Sequence, residues 1–223
     1  AYSELFQEFS SSQVAGYLDH ALKQGNRIGP LVHYSETHDN DRLAKRGRNW
    51  SLLRNRLSAL ASVNGGYGFT CGVEWLAEQK INVHGCAGLN WGADENIVAE
   101  LAQLNELLAT HPCFRDGTKL TRLSPDDSPV FTLLRESKNG DELLILANLD
   151  PEKENEIELA LPSAWHQSTD LLAQAQTGSA RAPACRLGRP AQGSFIELPP
   201  NDSGVAPEST REARVLPATY RLA

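Results

Sequence analysis

Near Pro112 the hydrophobic pattern of this chain changes period, and that change limits what it can fold into. Ahead of it, residues 12–24, "SQVAGYLDHALKQ", carry Val14, Tyr17, Leu18, Ala21 and Leu22 at helical spacing, with Gly25 as a stop. "IGPLVHYS" then reads as a buried strand. Residues 49–63, "NWSLLRNRLSALASV", predict a second helix with Asn49 as cap and Gly65-Gly66 as stop. "GYGFTCGVEW" predicts another short strand, with small residues where a neighbour presses close. The long loop "LAEQKINVHGCAGLNWGA" leads to a third helix over residues 94–110. Strands alternating with helices predict parallel β/α units.

Beyond Pro112 the pattern is strand-like. "TKLTRLS", "PVFTLLRES", "DELLILANLD", "NEIELALPS", "HQSTDLL", "GSFIELPP" and "ARVLPATYRL" follow one another with turn signals between them. Asn139-Gly140 is a hairpin turn in sequence, and residues 174–193, rich in Ala, Gly, Gln and Pro, read as a surface loop. The expected fold class is therefore α/β plus all-β. Residues 1–112 form β/α units, and residues 113–223 form an antiparallel Greek-key β-sandwich.

Of the 223 residues, 40% are hydrophobic and 22% charged, so a packed core is expected rather than disorder. A net charge of −7 argues against nucleic acid as a partner, which needs a basic face. No apolar run reaches the roughly 18 residues of a membrane span, and the N-terminus lacks the pattern of a signal peptide. The sequence reads as a soluble chain without a membrane partner. Cys71, Cys86, Cys113 and Cys185 are widely separated, with no C-x-x-C pair. They read as small buried residues of a cytoplasmic protein, and no metal ligand set or cofactor is implied. The chain opens on Ala1 and has no methionine, as expected of a processed product or an excised piece.

Chemistry concentrates in "VHYSETHDNDRLA", residues 32–44, where Glu36, His38, Asp39, Asn40, Asp41 and Arg42 crowd the end of a strand. Alternation along an extended strand puts His33 and Ser35 on one face and Tyr34, Glu36 and His38 on the other. Glu36, His38 and Asp39 are then expected to look into one cleft, while His33 and His38 make a poor metal pair. The plain alternative is a capping and salt-bridge cluster, with Asp39, Asn40 or Asp41 as cap and Arg42 paired to an acid.

Five passages in collinear order carry a resemblance. "SETHDNDR" resembles the strand-seven motif of the α-amylase family of glycoside hydrolases. "WSLLRNRLSALASVNGGYGFTCGVEW" is similar to that family's helix and strand eight, ending in a G-x-E turn, here Gly72-Val73-Glu74. "LNWGADENIVAELAQLNELLATHPCFRDG" resembles its closing barrel helix. "FTLLRES" through "NEIEL", and the final "ARVLPATYRL", resemble the sandwich that follows the barrel. The resemblance covers most of residues 30–160.

It implies the C-terminal fragment of a (β/α)8 barrel enzyme that cleaves α-glucosidic bonds with retention. Asp39 matches the family's third acid, which stays ionised, does not attack, and binds sugar hydroxyls more tightly in the transition state. His38 matches the histidine on the same hydroxyls. Glu36, Asn40, Asp41, Arg42 and Glu74 are substrate-binding by the same implication, with Glu74 open to a purely structural turn. Trp75, Trp91 and Tyr67 are candidate sugar platforms or core residues.

The nucleophile and the acid/base belong to strands four and five, outside this chain. The implied partners are an α-glucan such as glycogen or a maltooligosaccharide, and the preceding barrel segment of the same enzyme; the fragment alone is expected to be inactive. Amylase, branching, debranching and maltosyl-transferring activities differ in loops after strands that this chain lacks. The other function class open to the sequence is a non-catalytic carbohydrate-binding or structural module.

Overall fold

The computed structural model describes residues 11–29, 31–62, 66–82, 84–85, 88–162, 169–172, 195–197 and 215–222. The expected loop 174–193, Cys86 and Cys185 lie outside them. Helix α1, Ser11–Ile28, buries Val14, Ala15, Leu18 and Ala21 along one stripe. It runs through Gly25 and stops at Gly29, whose φ of +119° and N–H bond to the Gly25 carbonyl end it. A glycine inside a helix costs only about 1 kcal/mol, whereas a positive φ at the exit selects glycine strongly, so the second glycine is the stop.

Strands β1, His33–Tyr34, and β2, Tyr67–Gly68, pair in parallel, with His33 opposite Tyr67 and Tyr34 opposite Gly68. Both are shorter than the apolar runs that predict them, because the ladder extends no further. Gly68 is needed: a Cβ there would lie 2.8 Å from the Tyr34 ring. Between the strands run a 3-10 turn, Leu43–Arg46, and helix α2, Arg48–Leu60. The cap of α2 is Gly47 rather than Asn49, since the 3-10 turn delivers the chain to the helix start two residues earlier.

Helix α3, Val98–Thr110, begins later than the pattern predicts. The Asn96 amide donates to the carbonyls of Ala93 and Asp94, and its oxygen accepts the Val98 N–H, so a side-chain turn occupies the segment in place of a helical one. Among the described residues no helix is long and apolar enough to cross a membrane.

After a second 3-10 turn, Pro112–Phe114, all pairing is antiparallel. The strands are β3 (Lys119–Arg122), β4 (Val130–Glu136), β5 (Glu142–Asn148), β6 (Asn155–Pro162), β7 (Thr169–Asp170), β8 (Phe195–Glu197) and β9 (Val215–Leu222). One sheet has the order β3-β4-β5-β8-β7, and β6 pairs with β9 in another. The β4–β5 hairpin turns at Asn139-Gly140, where Gly140 has φ +90°.

Strands β4 and β5 are buried on both faces. Phe131, Leu133, Leu143, Ile145 and Ala147 join the cluster built by the helices, while Val130, Leu144 and Leu146 pack on Ile157 and Leu159 of β6. One hydrophobic cluster thus spans the change of period at Pro112. Of the two cysteines described, Cys113 is buried as expected but Cys71 is exposed, because its position falls in a turn rather than a strand.

Helix α2 is buried on every side from Trp50 to Leu60, charged residues included. Arg54 lies over the Trp50 ring and donates to the Leu149 carbonyl. At its C-terminal end the Arg135 guanidinium, reaching in from β4, donates to the carbonyls of Leu60 and Ser62 (2.7 Å each) and of Cys113 (2.8 Å). It also lies 4.2 Å from the Phe114 ring centre. Burial pulls its pKa down to about 9. Helix α1 is clamped to the sheet by Arg122, which pairs with Asp19 and Asp126.

Replacing Arg135 by Met leaves buried carbonyls at the end of α2 without their donor, each costing about 1–3 kcal/mol. Urea unfolding of Arg135→Met is expected to show a loss of about 3 kcal/mol, and a smaller loss than about 1 kcal/mol would count against this role. His33 supplies a second test. Burial lowers its pKa from 6.5 to about 4. The unfolded chain therefore takes up a proton over a range where the fold does not. Stability is full above pH 6.5 and falls as pH drops toward 4, by up to about 1.4 kcal/mol per pH unit. His33→Gln is expected to flatten that slope when unfolding free energy is measured across the range.

Candidate functional site

The site begins with an amide buried in α2. Asn55 accepts on one oxygen the hydroxyls of Ser35, just past β1, and of Tyr67 in β2, while its NH2 donates to the Ser51 carbonyl. One helical side chain thereby sets both strand ends. Burial raises the Tyr67 phenol above its ordinary range, so it serves here as a hydrogen-bond donor in the interior rather than as a surface platform.

Past Ser35 the chain leaves the extended conformation, and strict alternation stops with it. Glu36 turns inward, and its carboxylate lies 2.6 Å from the Arg42 Nε, both side chains being 1% exposed. The contact is an ion pair rather than a linear hydrogen bond. The other Glu36 oxygen accepts the Leu43 N–H at 2.7 Å. Burial raises the Glu36 pKa, opposed by that N–H and by the Arg42 charge. Arg42 continues across to the Cys71 carbonyl (3.0 Å), and the Thr70 hydroxyl returns to the Glu36 carbonyl (2.9 Å). These bonds latch the loop after β1 to the loop after β2.

Outside the latch, residues 37–40 form a tight turn. The Thr37 hydroxyl and N–H donate to the Asn40 side-chain oxygen, and the Asn40 N–H donates to the Thr37 carbonyl. His38 and Asp39 sit at its apex, 55% and 80% exposed, with His38 Nε2 3.3 Å from Asp39 Oδ2. Lys80 holds the apex from the other loop by donating to the Asp39 carbonyl. Asp41 pairs with Lys45 at 2.8 Å, and that hydrogen bond and charge lower its pKa. Glu74 closes a turn by accepting the Gly72 N–H at 3.0 Å, while its own carbonyl takes the Ile97 N–H.

The structure therefore brings His38 and Asp39 together in solvent and separates Glu36 from them. Glu36 and Arg42 are sealed behind the loop, paired with each other. Asn40 shapes the turn, and Asp41 stands exposed beside it. His33 is buried while His38 is exposed, so the two do not converge. Among the described residues no three His, Cys, Asp or Glu side chains converge as metal ligands. Lys80 carries no signal in the sequence, because its partner Asp39 lies 41 positions away and is met through a backbone carbonyl.

No protein-family model matches the sequence, and no curated protein does. Solved structures do share its fold. An Anoxybacillus α-amylase superposes over 99% of this chain and 44% of its own, with a TM-score of 0.60 at 17% identity. The maltogenic α-amylase AmyB of Thermotoga neapolitana matches 85% of this chain and 44% of its own, with a TM-score of 0.56 at 16% identity. A MutB variant in complex with glucose matches 85% of this chain and 47% of its own, with a TM-score of 0.59 at 13% identity. The fold is similar to part of an α-amylase. At these identities the likeness is one of fold, and the chain spans less than half the length of each of these structures.

The latch has a measurable consequence. Glu36→Gln leaves a buried guanidinium without its counter-charge, a defect that costs about 3–5 kcal/mol. Thermal unfolding of this variant is expected to show a loss of that order. A change within about 0.5 kcal/mol, the range of an ordinary surface substitution, would contradict the latch.

Proposed function

We propose that this chain is the C-terminal part of a retaining α-glucan-active glycosidase or transglycosidase, and that Asp39 is its catalytic residue within these segments. In this reading residues 1–112 are the last two β/α units of a barrel, and residues 113–223 are a Greek-key β-sandwich. The observation that carries it is the His38–Asp39 pair, exposed at the carboxyl end of one of two parallel strands. That is the end of the strand where β/α barrels gather their chemistry. The neighbouring strand's loop is latched to the same rim through Cys71 and Thr70. The similarity in fold to part of an α-amylase supports the same assignment.

Asp39 and His38 hold hydroxyls of the sugar ring whose glycosidic bond breaks. Charge builds on that ring as it flattens toward an oxocarbenium ion, so a carboxylate fixed beside it stabilises the transition state more than the ground state. A retaining reaction also needs a nucleophile and an acid/base on opposite sides of the bond, roughly 5 Å apart. Glu36 is sealed in its ion pair, and in this reading both groups come from the preceding barrel segment, the partner of this chain. Asn40 and Asp41 shape the edge of the sugar site, and Glu74 lines it from the neighbouring turn. Glu36 and Arg42 contribute by holding the loop. A carbohydrate-binding module would instead present aromatics on its sheets, yet Phe131 is buried against the helices.

The protein made from its native gene is expected to have a mass about twice the 24.4 kDa of this chain, as the 44–47% coverage of the similar structures implies. In that protein Asp39→Asn is expected to lower kcat on maltooligosaccharides by about 10²–10³-fold. Its melting temperature should barely move, since the side chain is exposed. A native mass near 24.4 kDa, or undiminished turnover in the variant, would overturn the proposal.

A further inference from the structure

Lys80 reaches the His38–Asp39 apex from the neighbouring loop, and it does so at the backbone of Asp39 itself. On one side of the Asp39 Cα, the Asp39 N–H donates to the Thr37 hydroxyl at 3.4 Å. On the other side, the Lys80 ammonium donates to the Asp39 carbonyl. The N–H of that second peptide, which belongs to Asn40, bonds to the Thr37 carbonyl at 3.2 Å. The two neutral bonds lie at or beyond the long end of the usual range. A charge-assisted bond is roughly twice as strong as a neutral one, so Lys80 is the firmest restraint on this residue. Fixing the peptides on both sides of the Cα fixes the direction in which the side chain leaves the chain. The carboxylate stays available, with His38 Nε2 3.3 Å from it.

The stretch that carries Lys80 is itself anchored on both sides. Ala77 is buried, and its N–H closes a turn on the Gly72 carbonyl at 2.9 Å. Gln79 packs against Gly88, where a Cβ would lie 2.9 Å from the Gln79 Oε1. Just beyond Lys80, the Asn82 carbonyl accepts the Gly85 N–H at 3.0 Å. The ammonium charge also reaches Asp41, adding to the Lys45 hydrogen bond and charge that lower the Asp41 pKa. It therefore lies where the loop carries acids at both 39 and 41.

We propose that Lys80 is a positioning residue for Asp39, holding its backbone so that the carboxylate points at the reacting sugar. This rests on the glycosidase reading above. A carboxylate that acts mainly on the transition state must already be aimed, since a misplacement of about 1 Å costs about 10²-fold in rate. Binding of the unreacted substrate is shared with other groups and depends less on that aim. Loss of the tie therefore lowers kcat more than it raises KM, and it does so only through Asp39.

The test uses the full-length protein as wild type, Lys80→Met, Lys80→Arg, Asp39→Asn and the double variant Asp39→Asn/Lys80→Met. It measures kcat and KM on maltoheptaose and follows amide hydrogen exchange over residues 37–40. Methionine keeps an unbranched stem and removes the donor. Lys80→Met is expected to lower kcat about tenfold with KM changed less than about twofold, and to speed exchange in the turn. Lys80→Arg, still a charged donor, is expected to recover most of the loss. In the Asp39→Asn background Lys80→Met is expected to add little, because residues that act as a unit are not additive. Unchanged kcat in Lys80→Met, or a loss that multiplies that of Asp39→Asn, overturns the positioning role; turnover lost in Asp39→Asn alone keeps the glycosidase reading. A fall in kcat without faster exchange also overturns the positioning role. A wild type without turnover removes the glycosidase reading and the positioning role with it.

Discussion

Helix α2 lies in the interior with its charged and polar residues, and it packs on the parallel strands, on α3 and on β5. Such a helix is costly unless its polar groups find partners inside the protein. Asn55 ties it to both parallel strands, Arg54 to the turn after β5, and Arg48 to Glu100 of α3. Its last carbonyls point into the core, where a helix end needs donors. Arg135 supplies them from the middle of β4 and simultaneously binds the 3-10 turn that starts the antiparallel region. A lysine at this position could not reach three carbonyls in one plane; the planar guanidinium does so in one conformation.

That arrangement joins the two structural regimes. Helix α2 packs on β1 and β2 and also on β5, so the parallel strands and the antiparallel sheet share one helix. The rim is tied to that helix through Asn55, which accepts from Ser35 and Tyr67. Its apex is polar, exposed and lightly held, through the Thr37–Asn40 turn and Lys80, whereas its base is the sealed Glu36–Arg42 pair. Removing two charges from water is expensive, so this pair is better understood as fixing one loop geometry than as adding net stability.

Much of this was legible in the residues. The helices announced themselves through apolar spacing at Val14, Leu18 and Ala21 and through the run from Trp50 to Leu60, and each strand-like segment after Pro112 contains a strand. "ELLILAN" is apolar without alternation because β5 is covered on both faces, by helices and by β6. The Asn139-Gly140 turn was equally plain. Boundaries were less so, for local reasons: Gly29 in place of Gly25, Gly47 in place of Asn49, and an Asn96 side-chain turn in place of the first turn of α3.

The candidate site divides along the same line. Local sequence determined that an imidazole, several acids and a guanidinium would meet at the end of a short strand, because neighbours along the chain stay neighbours in the fold. Only the tertiary structure decided which of them face water. Alternation predicts Glu36 beside His38, but a two-residue strand ends before that rule reaches it, and the buried Arg42 draws the carboxylate inward. Lys80, Thr70 and Cys71 join the rim through contacts whose partners are distant in sequence and largely backbone, which no pattern of residue types encodes. A short stretch of sequence specifies chemistry and local conformation; the assignment of each charge to the interior or to the surface depends on what the rest of the chain packs against it.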